Sequence, residues 1–221
     1  MFSELLHFLF PETCVCCDEV LDEKEKHICS LCLNDLPILD FDDSSTFKKL
    51  AGRIKLHQAH SFLKFNKSGK AQKIIHQIKY KGNAALGVFV GNLFSQHIIE
   101  KGIDIGFDCL IPVPLHPKRL QSRGYNQAET IAIGFAEAKG IFLDNSLLKT
   151  KEALSQIRKN RMSRLENMKD CFDIYSSHSL HNKHVAIIDD VITTGATLEA
   201  CCFCLEKAGV EKITVLSLAI A

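Results

Sequence analysis

Residues His184 to Leu198 read H-V-A-I-I-D-D-V-I-T-T-G-A-T-L. Val185 to Ile188 is a short apolar run rich in β-branched residues and bounded by charge, which predicts a buried strand. Asp189 and Asp190 follow, at the strand's C-terminal end. A small hydroxylated loop comes next: Thr193, Thr194, Gly195, Ala196 and Thr197. From Leu198 the apolar positions fall at Leu198, Cys201, Cys202, Leu205 and Ala208, which is helical spacing, and Gly209 is a natural stop. Ile213 to Ile220 reads as a second apolar strand. The unit is strand, loop, helix, strand, with the loop opening at a helix N-terminus.

The chemistry of that loop is directed. Free backbone N–H groups at a helix start carry partial positive charge and prefer an anion, above all a phosphate. Gly195 lets the main chain approach closely, and Thr193, Thr194 and Thr197 offer hydroxyl donors. The Gly-Lys-Ser/Thr ending of a P-loop is missing. A bare phosphate site would not want two carboxylates beside it. Asp189 and Asp190 instead suit a ligand with hydroxyls and a bound Mg2+ next to its phosphate, such as a ribose phosphate.

The chain has 221 residues, enough for one medium domain with a small appendage. At 46% hydrophobic residues it can bury a sizeable core, and a net charge of +1 gives no global basic field to argue for nucleic acid. No apolar run approaches the roughly 18 residues needed to span a bilayer. Met1 to Phe10 is apolar and helix-like without a basic region or small-residue cleavage site, so it reads as a packing helix. The expected setting is cytoplasmic, without membrane insertion.

Ten cysteines then need a reason other than disulfides, which a reducing cytosol disfavours. Five of them crowd between residues 14 and 32. Cys14-Val15-Cys16-Cys17 and Cys29-Ser30-Leu31-Cys32 supply two Cys-x-x-Cys pairs joined by a charged loop, a spacing that closes a tetrahedral zinc site. A segment this small buries no core of its own, so metal would supply much of its folding energy. The expected ligands are Cys14, Cys17, Cys29 and Cys32, with Cys16 and His27 as substitutes. Cys201, Cys202 and Cys204 read as small core residues.

Between these two landmarks, Asp40 to Ser45 reads as an acidic linker and Arg53 to Phe65 as a strand or hairpin. Ala71 to Tyr80 is a short amphipathic helix with Ile74, Ile75 and Ile78 inward. Ala84 to Glu100 is a longer helix burying Leu86, Val90, Leu93, Phe94 and Ile98. Phe107 to Ile111 reads as another buried strand, halted by Pro112, Pro114 and Pro117, with Lys118 and Arg119 adding charge behind the loop. Arg123 to Gln127 introduces a helix through Ile131, Phe135 and Ala138 that ends at Gly140. Arg158, Lys159, Arg161 and Arg164 form a basic segment without an apolar stripe, suited to closing over an anionic ligand.

The run from Val185 to Thr197 resembles the phosphoribosyl-pyrophosphate (PRPP) motif of type I phosphoribosyltransferases: four apolar residues, two acids, two apolar residues, then T-T-G-x-T. Further segments resemble the ComF/GntX-like branch of that fold, associated with bacterial DNA uptake. These are the four-cysteine module, P-V-P-L-x-x-x-R at Pro112 to Arg119, R-G-x-N-Q at Arg123 to Gln127, and Q-x-x-x-x-R at Gln156 to Arg161. The I-P-V-P stretch also resembles the pyrophosphate loop of amidophosphoribosyltransferases.

The resemblance implies an α/β fold, a mostly parallel sheet flanked by helices. A zinc module at residues 1–45 would precede a phosphoribosyltransferase-like domain at 46–221. It implies PRPP with Mg2+: Asp189 and Asp190 at the ribose as catalytic groups, and Thr193 to Thr197 on its 5-phosphate. Val113, Pro114, Leu115, Lys118 and Arg119 would meet pyrophosphate, with Arg158, Lys159 and Arg161 as a lid. Three functions stay open at this point: a phosphoribosyltransferase on an unidentified acceptor, a PRPP-sensing or single-stranded-DNA-handling protein without turnover, and an adaptor acting through DNA-uptake partners.

Overall fold

The structure is a computed structural model, and it describes residues 11–40, 43–150, 171–175 and 180–221. The expected N-terminal helix at Met1 to Phe10 and the basic segment holding Arg158, Lys159 and Arg161 lie outside the described residues.

In chain order the elements are α1 (Ser30–Asn34), α2 (Ser45–Leu50), β1 (Gln58–Lys64), α3 (Lys70–Tyr80), α4 (Ala84–Glu100), β2 (Cys109–Pro112), α5 (Pro117–Arg123), α6 (Gln127–Lys139), β3 (Leu147–Lys149), β4 (Phe172–Ile174), β5 (His184–Ile192), α7 (Ala196–Lys207) and β6 (Lys212–Ile220). The central sheet has the order β1-β6-β5-β2 and all its pairs are parallel. Single bridges extend both edges: Leu143 runs parallel to Leu110, and Ile38 runs antiparallel to Leu63. β3 and β4 form a separate antiparallel pair.

Val185 to Ile188 of β5 is apolar without interruption because both its faces are covered, as expected for a strand inside a parallel sheet. Successive residues point to opposite faces. Ala186 and Ile188 enter one core with Ile74, Ile78, Leu86, Phe94, Ile131 and Phe135 of α3, α4 and α6. Val185 and Ile187 enter the other, with Leu198, Cys201, Cys202 and Leu205 of α7. The cysteines of α7 at 201 and 202 are thus packing residues, fully buried.

Three expectations need correction. The strand does not end at Ile188. It continues to Ile192, because β6 stays apolar to Ile220 and the pairing runs on through Asp189↔Ser217, Val191↔Ala219 and Ile192↔Ile220. The carboxylates therefore sit within the ladder. The linker ends in a helix: α2 starts at Ser45 and buries Thr46 and Leu50. The basic turn behind Pro117 is a short helix, α5, begun by proline in its first turn and closed by Gly124 in the left-handed region (φ 85°). Arg53 to Phe65 resolves to the single strand β1, parallel to β6, with no hairpin.

α4 and α6 cross at very short range. A Cβ on Gly134 would lie 1.8 Å from the Val88 carbonyl oxygen, and one on Gly91 2.0 Å from that of Ile131. Those glycines let the two helices sit as one layer over the sheet, which fixes where α6 begins. That start matters, because Asn126 and Gln127 face the site.

Candidate functional site

The site lies at the carboxyl ends of β5 and β2, where open parallel sheets place ligands. A cavity of about 460 Å³ opens there. Its floor is Asp189, Asp190, Thr193 and Thr197; one side is Val113, Pro114 and Leu115 with Arg119 and Arg123. The two motifs meet because β2 and β5 are hydrogen-bonded neighbours with both C-termini at this end. Val113 N–H donates to the Ile188 carbonyl at 2.9 Å, so the proline loop leaves its strand locked to β5.

Asn126 explains why the R-G-Y-N-Q segment matters. Its side-chain amide donates to the Val113 carbonyl at 3.0 Å, and its Oδ1 accepts the N–H of Ala128 at 3.2 Å, capping α6. One buried side chain thereby ties the helix start to the proline loop.

The expected site residues that fall among the described residues each have a definite place. Thr193 and Thr197 line the cavity, whereas Thr194, Gly195 and Ala196 form the turn that carries them. Gly195 is required twice over. Its φ is +76°, and a Cβ there would come within 2.5 Å of Leu50 Cδ2. Among the expected pyrophosphate contacts, Val113, Pro114, Leu115 and Arg119 line the cavity and Lys118 does not; Arg123 does instead. Both arginines lie in the α5 helix; the sequence places Arg119 in a loop and Arg123 at the start of the next helix.

Three cations at the site were not foreseen. Lys79, at the end of α3, places Nζ 2.9 Å from Asp190 Oδ1. Lys149 of β3 lines the cavity as well. Arg53, just ahead of β1, donates from Nη1 to the Thr194 carbonyl at 2.6 Å and pairs with Glu199 through Nε and Nη2, at 3.0 and 2.6 Å. It holds the hydroxylated turn against α7.

The two carboxylates share a crowded setting. Asp190 N–H donates to Asp189 Oδ1 at 2.8 Å. Burial at the cavity floor and the adjacent Asp190 charge push Asp189 up to about 7, against the opposing pull of Lys79 and Lys149. A carboxyl near 7 on a cavity floor is the kind of group that exchanges a proton or changes charge when a cation or sugar arrives. Oxygen donors of this sort fit Mg2+, and the basic side chains around them fit a phosphorylated ligand.

The second cluster is at the N-terminus. The Sγ atoms of Cys14, Cys17, Cys29 and Cys32 all lie within 4.8 Å of one another. Cys17 Sγ is 3.7 Å from Cys29 Sγ, close to the ~3.8 Å that tetrahedral Zn–S bonds of ~2.3 Å require. The N–H groups of Cys16 and Cys29 point at Cys14 Sγ, at 3.4 and 3.3 Å. Burial opposes the Cys14 thiolate, but backbone N–H groups from Cys29, Cys16 and Cys17 outweigh it and bring the group down to about 6. The residues fit a structural zinc with no open position. The substitutes are used elsewhere: Cys16 is buried, which raises it to about 12, and the His27 ring packs edge-on against Phe89 at 5.5 Å.

The zinc-type module is docked on α3. Lys73 donates to the Cys16 carbonyl at 2.6 Å, Lys70 pairs with Asp35 at 2.8 Å, and Cys14, Ile28 and Cys32 share a hydrophobic cluster with Ile74 and Ile75. The same helix therefore touches the cysteine module near its start and the cavity at its end.

A family model for the phosphoribosyl transferase domain matches residues 137–219, from the end of α6 through β6. Competence protein ComFC of Streptococcus pneumoniae is 29% identical over 220 residues, 98% of this chain and 92% of that protein. Competence protein F of Haemophilus influenzae is 37% identical over 123 residues, 51% of this chain and 50% of that protein. Among solved structures, glutamine PRPP amidotransferase from B. subtilis aligns with a TM-score of 0.46 and 18% identity, covering 66% of this chain and 30% of that one.

Proposed function

We propose that this chain, which is similar to competence protein ComFC and carries a segment matching the phosphoribosyl transferase domain, binds PRPP with Mg2+ and serves DNA uptake during natural competence from the cytoplasm. The observation that carries the reading is convergence. The acid pair with its hydroxylated turn, and the proline loop far from them in sequence, line one cavity together with Lys79, Lys149, Arg119 and Arg123.

In this reading Thr193 and Thr197, with the turn at the start of α7, hold the 5-phosphate. Asp189 and Asp190 hold the ribose hydroxyls. Val113 to Leu115, Arg119 and Arg123 receive pyrophosphate, and Arg158, Lys159 and Arg161 close over it. Mg2+, when bound, would shield the charge on the pyrophosphate.

Turnover, where it occurs, follows the usual course of a phosphoribosyl transfer. The bond from the anomeric carbon to the pyrophosphate oxygen breaks, and pyrophosphate leaves with the electron pair. The acceptor's lone pair forms the new bond and its proton passes to solvent. Positive charge grows on the sugar meanwhile, and the Asp189–Asp190 pair faces it. Most of the rate would come from orientation.

The four cysteines would hold a structural zinc that keeps the cysteine module folded and docked. No helix among the described residues is long and apolar enough to cross a membrane.

Titration calorimetry with PRPP and Mg2+ tests the reading. Micromolar binding that Asp189→Asn with Asp190→Asn abolishes supports it. Equal binding by that double variant would overturn the ribose assignment. Pyrophosphate release on adding candidate acceptors then separates a transferase from a sensor. Single-stranded DNA binding with no turnover would favour the adaptor reading.

A further inference from the structure

Helix α3 separates the cysteine module from the cavity and presents a different face to each. Residues three and four apart share a helix face. Lys70, Lys73 and Ile74 form one such set, and it meets the module. Lys73 Nζ donates to the Cys16 carbonyl at 2.6 Å and lies 3.7 Å from Asp18, while Lys70 Nζ lies 2.8 Å from Asp35. Ile74, fully buried, packs in one cluster with Cys14, Ile28 and Cys32. Two of those three neighbours belong to the four-sulfur set. Gln72, His76 and Lys79, on another face, line the cavity.

The far end of α3 is fixed to the site. The Tyr125 hydroxyl donates to the Ile78 carbonyl, and the next residue, Lys79, places Nζ 2.9 Å from Asp190 Oδ1. An α3 of 11 residues is about 16 Å long, and its internal hydrogen bonds make it shift as one body. A tilt at Lys70 therefore displaces Lys79, and an ion pair weakens as its charges separate. The cysteine module is too small to stay folded without its metal. Unfolding would strip Ile74 of its cover and leave Lys70 and Lys73 without anchors.

We propose that the cysteine module controls the cavity through α3. With its metal bound, the module seats Lys70, Lys73 and Ile74, and the helix carries Lys79 to Asp190. Loss of the metal frees that face and lowers the affinity for sugar phosphate. This coupling rests on the sugar-phosphate reading above and adds the regulation of that site. Lys70 and Lys73 are positioning residues in it, since neither lines the cavity. Coupling between two sites is reciprocal, so a ligand in the cavity must also hold the metal more tightly.

The test uses the full chain as purified with its zinc. Transfer of zinc to the colorimetric chelator pyridylazoresorcinol is followed with and without saturating ribose 5-phosphate, and titration calorimetry gives the affinity for ribose 5-phosphate. Wild-type protein is expected to release zinc about fivefold more slowly with ribose 5-phosphate bound. Lys70→Met with Lys73→Met keeps the apolar stems and removes both ammonium groups. That variant should carry about one zinc per chain, bind ribose 5-phosphate about fivefold more weakly, and release zinc at the same rate with or without it. Lys70→Arg with Lys73→Arg should restore both behaviours. A module that only stabilises the fold would produce neither effect well below the melting temperature. Equal zinc release with and without ligand in wild type would overturn the coupling and leave the sugar-phosphate assignments standing, and that comparison holds whether or not the variants fold. A methionine variant that binds ribose 5-phosphate as wild type does would overturn it too. Failure of ribose 5-phosphate to bind wild type at all would instead overturn the sugar-phosphate reading, and the coupling with it.

Discussion

Lys79 Nζ lies 2.9 Å from Asp190 Oδ1, while Asp189, one residue earlier, has no such ion pair among the described residues. Lys79 thus pairs directly with only one of two adjacent carboxylates. Asp190 takes the direct contact and Asp189 is left to burial and repulsion, which raise it from 3.8 to about 7.

That asymmetry predicts a pH-dependent stability. A carboxyl whose folded pKa is raised keeps its proton in the native state while the unfolded chain has lost it. The native state then binds more protons between about pH 4 and pH 7, and stability falls as pH rises through that window. Asp189→Asn removes the effect. Relative to wild type, the variant should gain on the order of 2 kcal/mol between pH 5 and pH 8, less than the full shift implies because Lys79 and cavity water screen the charge. Urea melts at the two pH values check it. Parallel changes in the two proteins would mean Asp189 is ionised throughout.

The Arg53 latch predicts a coupled loss of stability and phosphate affinity. Glu199 is buried, and Arg53 is its ion-pair partner. Arg53→Ala strands that carboxylate and frees the Thr194 carbonyl, so we expect about 2 kcal/mol of destabilisation. Adding Glu199→Gln should restore part of the stability, because the stranded charge is gone. Ribose 5-phosphate affinity should stay low in both, because the turn still lacks its anchor. Full recovery of both by the double variant would show that the turn does not depend on Arg53.

Metal content separates ligand cysteines from packing cysteines. Purified protein should carry about one zinc per chain. Cys32→Ser should lose it and melt at lower temperature, since metal binding is folding energy in a module this small. Cys16→Ala should keep its zinc: that thiol is buried beside α3 and lies outside the four-sulfur cluster. Equal zinc in both variants would place a ligand elsewhere.

What could be read in advance follows contact range. The β5–loop–α7 unit, the proline loop and the paired cysteines are local motifs whose backbone geometry is set by the residues that spell them. β5 ran further than expected because its last pairs depend on β6, 28 residues away at each rung. Arg53 meets Thr194 across 141 residues and Glu199 across 146, and no periodicity announces such a pair. Lys79 looked like the polar end of an amphipathic helix. The α5 helix did leave a signal, Pro117 after His116, whose ring nitrogen accepts the Lys118 N–H at 3.3 Å. Three prolines in six residues outweighed it.

The last prediction concerns pyrophosphate. Arg119 and Arg123 line the cavity beside Val113 to Leu115, and Lys118, between them in sequence, does not. Arg119→Ala with Arg123→Ala should therefore weaken PRPP by about tenfold or more and ribose 5-phosphate by less than about twofold, because only PRPP carries the group these guanidinium ions would meet. Lys118→Ala should change neither by more than about twofold. Arg158, Lys159 and Arg161, replaced together by Ala, should reproduce the PRPP-selective loss if they close over the same group. That variant should also bind single-stranded DNA with a shallower salt dependence, as phosphate contacts disappear. Equal weakening of PRPP and ribose 5-phosphate by the Arg119 and Arg123 pair would move those arginines to the 5-phosphate. The proline loop would then need another cation, and Lys149, which also lines the cavity, is the side chain to replace next.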